Sequence, residues 1–507
     1  MDQETKVKLD DLTKRRKEIK VWNGIYSLLV CETETVCPPS GRDFESEETS
    51  VLGQKLFSLE KDPTFLGDVE YLQAHKDQLD AIDRAIVVNS YRDIWKNKNV
   101  TPELDKEATG VYSKAFDSWI RAKYDRKYEE FEPMLEKVVD MQKRLLKTRD
   151  NPKGLSLEDM VVGDYATGFK AKDLDVYFAN MKEGLVPLIK KVYSSRKVIR
   201  DDFLTRPVPR YKQLEFSKWL MKLLGFDFDS GALQETEHPF TIWLGSKDER
   251  VATHVYEDMM VSNLYSICHE TGHALFAQNI PAEQEERGLE DYQTPDMDES
   301  VSRFYENVIG RSEAFIDLIF PKMKEAYAPA LDDVTPHEFY LAANKVFRQP
   351  LRTEADELTY SMHIILRYEM EKGLLDGTLP YAGLNKVWNR KYKDYLDIDV
   401  KDDKEGILQD VHWTSGLGYF PVYAMGNGYN AAYAKLMNQD FAPEGGLDGV
   451  IRSGRMDKVL AWMKGHVFRK ANLLSSKEWV KEVTGQDLQA DDFIDYLTRK
   501  YSAIYDL

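Results

Sequence analysis

Cysteine is scarce: Cys31, Cys37 and Cys268 are the only three in 507 residues. So small and odd a number excludes a disulfide framework, and Cys31 and Cys37 are expected to stay reduced. No run approaches the roughly 20 apolar residues that a membrane span requires. The opening MDQETKVKLDDLTKRRKEIK holds no apolar stretch of secretory-signal length. The expectation is a cytoplasmic protein without a membrane partner. Positive charge is also short, since 69 Lys and Arg stand against 87 Asp and Glu, a net charge of −18. With no basic face interleaved with aromatics, this argues against a nucleic-acid partner. The cluster Lys14-Arg15-Arg16-Lys17 reads as a solvated helix face. Internal repeats, low-complexity tracts and Gly/Ser linkers are missing as well.

What remains is a balance of 42% apolar and 31% charged residues, that of a globular chain with a buried core. Breaks near 150–154, 206–209 and 332–336 show no shift in composition, so they read as loops between helices of one unit spanning 1–507. Most segments carry helical periodicity. In 133–147, Pro133 suits a first helical position, and Leu135, Val138, Val139, Leu145 and Leu146 follow at helical spacing. The stretch from His238 to Tyr256 differs. Its Pro239, Gly245-Ser246 and many β-branched and aromatic residues predict a short hairpin or small sheet before a helix. The fold class is mainly α with one small β element.

Residues 269–273 read His-Glu-Thr-Gly-His. On a helix, residues four apart stack on one face, so His269 and His273 can present two imidazoles to one metal ion. Glu270, one step round, can reach a water held there and serve as general base. Leu264, Cys268, Thr271 and Leu275 form a stripe predicted to face the core. Ser262 and Ser266 share the side of the histidines and leave room for a substrate. Gly272 is costly in a helix, about 1 kcal/mol relative to Ala, which suggests close approach by another segment or by ligand.

A catalytic zinc site has three protein ligands and one open position. The third is sought in Asp298-Glu-Ser-Val-Ser-Arg-Phe-Tyr-Glu-Asn307. Val301, Phe304, Tyr305, Val308 and Ile309 form its apolar stripe, with Glu299, Arg303 and Glu306 on another face. Glu299, near the helix start, can turn to the metal or simply complement the helix dipole. Glu306 is either a partner that orients a ligand histidine or a solvated glutamate. One divalent ion per chain follows, with zinc as the default and cobalt also suited.

At this point the chain resembles the carboxypeptidase Taq family over nearly its whole length. The family's second motif, His-Glu-Ser, stands here as Asp298-Glu299-Ser300. Its His-Pro-Phe is His238-Pro239-Phe240, and its Asp-x-Arg-x-Thr is Asp248-Glu-Arg250-Val-Ala252. Its Ile-Arg-x-x-Ala-Asp reads Leu351-Arg352-Thr-Glu-Ala355-Asp356, and Gly-x-x-Gln-Asp-x-His-Trp is complete from Gly406 to Trp413. The segment Gly418 to Tyr423 is also similar. Asp298 replaces a histidine, Val301 a glutamine, Tyr305 a tryptophan and Ala252 a threonine. Cys31-Glu32 stands where Trp-Asp is usual and Cys37 where Met is usual. These changes bear on rate, metal affinity and substrate choice.

The resemblance implies a two-lobed helical fold with a deep cleft, a homodimer, and removal of single residues from the C-termini of peptides with a free carboxylate. Arg352 is then the first candidate for that carboxylate, against a structural ion pair with Asp356, and Arg250 is the second. His412 and Tyr423 are candidate donors to the oxyanion, and His238 is a candidate contact to the substrate backbone. Two alternatives stand beside this reading: an endo-oligopeptidase with the same chemistry, and an inactive peptide-binding or scaffold protein.

Overall fold

A computed structural model describes residues 1–290 and 293–507. Helices dominate, and one three-stranded sheet lies between them. Four N-terminal helices, α1 (Gln3–Thr35), α2 (Arg42–Glu60), α3 (Pro63–Ala74) and α4 (Ala81–Asn97), form one lobe. Local chemistry starts three of them. Asp2, Asp62 and Asp80 accept backbone N–H groups at the starts of α1, α3 and α4. Leu9, Leu12, Phe65, Val69, Leu72, Ile82 and Ile86 give this lobe its own small core, which Leu289 joins from the rest of the chain. The remaining helices pack around a much larger continuous core.

The basic cluster in α1 departs from its expectation. Lys14 and Lys17 are exposed, but Arg15 pairs with Asp11 and Asp62. Arg16 donates to the Ser90 hydroxyl and to the Gly288 carbonyl. The two arginines therefore fasten α1 to neighbouring segments. Pro133 is likewise misread: it lies inside the helix Tyr128–Lys147. Tyr128 is fully buried and Tyr128 N–H donates to Asp403, so tertiary anchoring starts the helix a turn earlier.

The sheet comprises β1 (Gly231–Glu235), β2 (Phe240–Trp243) and β3 (Glu249–Thr253) in the order β1-β3-β2. β2 and β3 form the expected hairpin, with Thr241 opposite Val251. β1, parallel to β3, is not foreseen. Its sequence Gly-Ala-Leu-Gln-Glu lacks β-branched residues and alternation, so only pairing with β3 makes it a strand. β3 is central, and β1 and β2 are the edge strands. α5 (Met260–Gln278) follows the sheet and packs on β2 and β3. No helix among the described residues is long and apolar enough to cross a membrane, and all three cysteines are free.

Three further helices complete the frame of the site: α6 (Pro295–Arg303), α7 (Glu357–Asp376) and α8 (Pro421–Asp440). α6 is clasped between α5 and α8 by two glycines. A Cβ on Gly272 of α5 falls 2.6 Å from Ser302 Cα, and one on Gly426 of α8 falls 3.0 Å from Ser300 N. The expected close approach at Gly272 is therefore real, and it presses on the turn that carries Glu299. Gly272→Ala is expected to destabilise the fold by about 1–3 kcal/mol, overpacking outweighing the gain in helix propensity. It is also expected to lower metal content. Thermal unfolding with and without zinc checks both, and an unchanged midpoint would refute the clasp.

Candidate metal centre

The face of α5 at Ser262, Ser266, His269 and His273 is half-buried, while Leu264, Cys268, Thr271 and Leu275 are fully enclosed. The helical reading of this segment is thus correct on both faces. One ligand atom from each of His269, His273 and Glu299 lies within 4.8 Å of the others. The two imidazole Nε2 atoms are 3.3 Å apart, and Glu299 Oε2 is 3.7 Å from His269 Nε2.

Carboxylates meet the far side of both rings. His269 Nδ1 is 3.0 Å from Glu306 Oε2, and His273 Nδ1 is 3.0 Å from Asp298 Oδ1. Glu306 is therefore the ring's partner rather than a solvated glutamate. A π-helical stretch, Phe304–Ile309, extends α6 and carries it. Burial opposes the Glu306 charge, but Arg303, His269 and Arg311 hold its pKa down at about 2. Burial also opposes a charged His273, yet Asp298, Glu299 and Glu270 raise its pKa to about 10. Asp298 thus gives this chain a carboxylate on the second histidine.

The donor set fits a divalent cation. Two Nε2 lone pairs at 3.3 Å repel each other unless a cation, proton or metal, lies between them. A field that raises an imidazole this far attracts a metal for the same reason. Glu299 is 6% exposed, and its oxygens are held by the Ser302 hydroxyl at 3.1 Å and the Tyr419 hydroxyl at 3.4 Å. Glu270 turns aside from the ligands. Its Oε2 accepts from the Thr241 hydroxyl at 2.7 Å.

The remaining predicted residues lie at differing depths. Arg352 does not pair with Asp356, which instead caps α7 by accepting from Thr359. Its Nε and Nη2 grip Asp410 at 3.0 and 2.9 Å, and its Nη1 donates to the Tyr360 hydroxyl at 3.1 Å. Arg250 similarly holds Asp248 through Nε and Nη2, and its Nη1 lies 3.9 Å from Glu32. His238 is exposed in the turn before β2. His412 and Tyr423 line a pocket of about 260 Å³ with Glu371, Tyr419 and Phe420. Tyr423 meets the rings of Tyr419 and Tyr360 edge-on. Thr241, Asp410 and Tyr419 escaped the sequence reading. Asp410 and Tyr419 lie within motifs already noted, and Tyr419 stands four residues before Tyr423, just ahead of the helix that starts at Pro421, but spacing alone gave neither a role.

Two histidines of one helix and a carboxylate of a second form a group that could hold a divalent ion. A sequence model for the carboxypeptidase Taq (M32) metallopeptidases matches residues 11–501, and the chain belongs to that family. Carboxypeptidase 1 of Bacillus subtilis is 33% identical over 493 residues, covering 96% of this chain and 97% of the relative. Thermostable carboxypeptidase 1 of Thermus thermophilus is 32% identical over 508 residues, covering 98% of each. The crystal structure of the M32 carboxypeptidase from Deinococcus radiodurans R1 superposes with a TM-score of 0.93 at 29% identity, covering 99% of this chain and 100% of that one.

Proposed function

We propose that this chain is a zinc-type metallocarboxypeptidase that hydrolyses the C-terminal bond of peptides. The observation that carries the reading is the convergence of His269, His273 and Glu299 within 4.8 Å, with Glu270 beside them but turned away. A divalent ion bound there supplies Lewis acidity to the scissile carbonyl and acidifies water. Glu270, held by Thr241 at one oxygen, offers the other to the attacking water. It takes the proton and returns it to the departing amine.

Tyr423 is suited to stabilise the oxyanion. Burial, with Glu299 nearby, raises its phenol well above the usual range, so it keeps its proton and can donate, whereas the Tyr419 proton is given to Glu299. His412 lines the same pocket and is the second candidate donor. Arg352 and Arg250 each bind a neighbouring aspartate through Nε and Nη2; Nη1 of Arg352 gives one proton to Tyr360 and keeps its second for a substrate carboxylate, while Nη1 of Arg250 faces Glu32. Of the two, Arg352 lies nearer the tyrosines, with its guanidinium carbon 5.6 Å from the Tyr423 ring. Residues Thr241 to Leu244 wall a chamber of about 810 Å³ with Arg16 and Lys20 of α1 and Ser90 and Asp93 of α4. The chamber is large enough for the upstream part of a peptide, and His238, the candidate contact to the substrate backbone, lies two residues before β2. The reading treats 1–507 as one catalytic unit. It includes a homodimer, as the family resemblance implies, and a cytoplasmic setting, which suits three free thiols.

Zinc-loaded protein is expected to trim peptides with free C-termini and to act at least ~100-fold more slowly on amidated ones, a loss typical of an unmade charged contact. Equal cleavage of both would favour an endo-oligopeptidase. Neither metal uptake nor turnover with zinc or cobalt would leave only a peptide-binding or scaffold role.

A further inference from the structure

We propose that Thr241 is a positioning residue for the general base, and that its hydroxyl fixes which oxygen of Glu270 faces the reaction. The inference rests on the general-base reading of Glu270. Thr241 Oγ1 lies 2.7 Å from Glu270 Oε2 and 3.1 Å from the Glu270 carbonyl oxygen. A hydroxyl has one proton to give, and the shorter contact, to the charged oxygen, takes it. The longer contact keeps Oγ1 close to the helix backbone, so one atom of the strand touches both ends of the glutamate.

The strand has little freedom to move this hydroxyl. Thr241 lies opposite Val251 in the β2–β3 ladder, and Val251 is fully buried. Its β-branched side chain is also restricted at χ1. Glu270, by contrast, has three side-chain torsions, and it is only 7% exposed in a narrow space beside the metal ligands. Without a fixed partner the carboxylate can rotate among positions, of which few point an oxygen at the attacking water. A misplacement of about 1 Å in a reacting group can lower a rate by about 100-fold. With Thr241 in place, Oε2 is occupied and Oε1 is left for proton transfer.

The contact joins different elements and leaves the ligands alone. Glu299 is held by Ser302 and Tyr419, His269 by Glu306 and His273 by Asp298. Loss of the Thr241 hydroxyl therefore touches proton transfer and not metal retention.

The test compares wild type with Thr241→Val, Thr241→Ser and Thr241→Ala, all zinc-loaded, on a peptide with a free C-terminus. Valine keeps the shape without the donor, serine keeps the donor without the methyl, and alanine has neither. The expected result is a kcat about 10–100-fold lower in the valine variant, with KM within about twofold and zinc content unchanged. Serine should restore kcat to within about threefold of wild type. If valine fails to fold, the serine-to-alanine ratio in kcat isolates the hydroxyl. Crystal structures of the metal-free serine and valine proteins give a readout independent of turnover. Glu270 should keep one orientation with serine and adopt others with valine. A valine variant with near-wild-type kcat, a serine variant as impaired as alanine, or zinc lost with the hydroxyl would overturn the proposal. Wild type without turnover would instead overturn the parent reading.

Discussion

Glu270→Gln is expected to keep its metal and its fold while losing most of its turnover. The substitution changes one oxygen to an amide nitrogen at nearly constant volume. The remaining carbonyl oxygen can still accept from the Thr241 hydroxyl that now meets Oε2 at 2.7 Å. None of the three ligand atoms belongs to Glu270. Asp298, Glu299 and Glu306 continue to supply negative charge around the histidines. What disappears is a base able to accept a proton from water and hand it on. General base catalysis contributes about 10²–10⁴-fold, or about 3–5 kcal/mol of barrier at 1.36 kcal/mol for each factor of ten. The drop should appear in kcat, with KM changed little, because the ground-state contacts of the peptide lie elsewhere. Steady-state kinetics, zinc content and the thermal midpoint together check the claim. Turnover within a few-fold of wild type in a zinc-replete variant would remove Glu270 from the role.

The difference between what could and could not be read from the chain follows from the range of the interactions. His269 and His273 are placed by helical spacing alone, so a local rule suffices. Glu299 needed a second helix, and its own stripe of Val301, Phe304, Tyr305 and Val308 oriented that helix correctly, since all four are buried. Gly272 announced a close approach through its cost, though not that Ser302 is what approaches. Glu306 stayed open between a partner of a ligand histidine and a solvated residue because the choice depends on a π-helical stretch and on α5 lying alongside, neither of which spacing encodes. Arg352 shows the limit most clearly. Asp356 is a plausible partner at helical separation, but the chain there is a 3₁₀ turn that ends before α7 begins. Asp410, 58 residues downstream, takes the guanidinium instead. Thr241 contacts Glu270 from a strand 29 residues away, and only the folded sheet brings the two together.

Glu299→Ala should separate the metal's contribution from the protein's own stability. Its loss reduces three ligands to two, and affinity should fall by at least the 10–100-fold that loss of an outer-shell partner alone brings. Asp298→Asn removes only the charge beside His273 Nδ1 and should fall within that range. The order of the two variants is therefore a prediction in itself. Metal-free protein should show a smaller effect of the same sign. There Asp298, Glu299 and Glu270 raise the His273 pKa to about 10 against the pull of burial, so at neutral pH the ring is protonated and Glu299 attracts it. Deleting Glu299 removes that attraction, and the metal-free variant should be modestly less stable than metal-free wild type. With zinc at 1,000 times its dissociation constant, wild type gains about 4 kcal/mol by mass action, and the variant gains far less. Unfolding curves should therefore lie close together in chelator and diverge widely in zinc. Equal zinc stabilisation of both proteins would place the third ligand elsewhere. A large loss of stability in chelator would assign Glu299 a structural role, through Ser302 and Tyr419, that exceeds its role as a ligand.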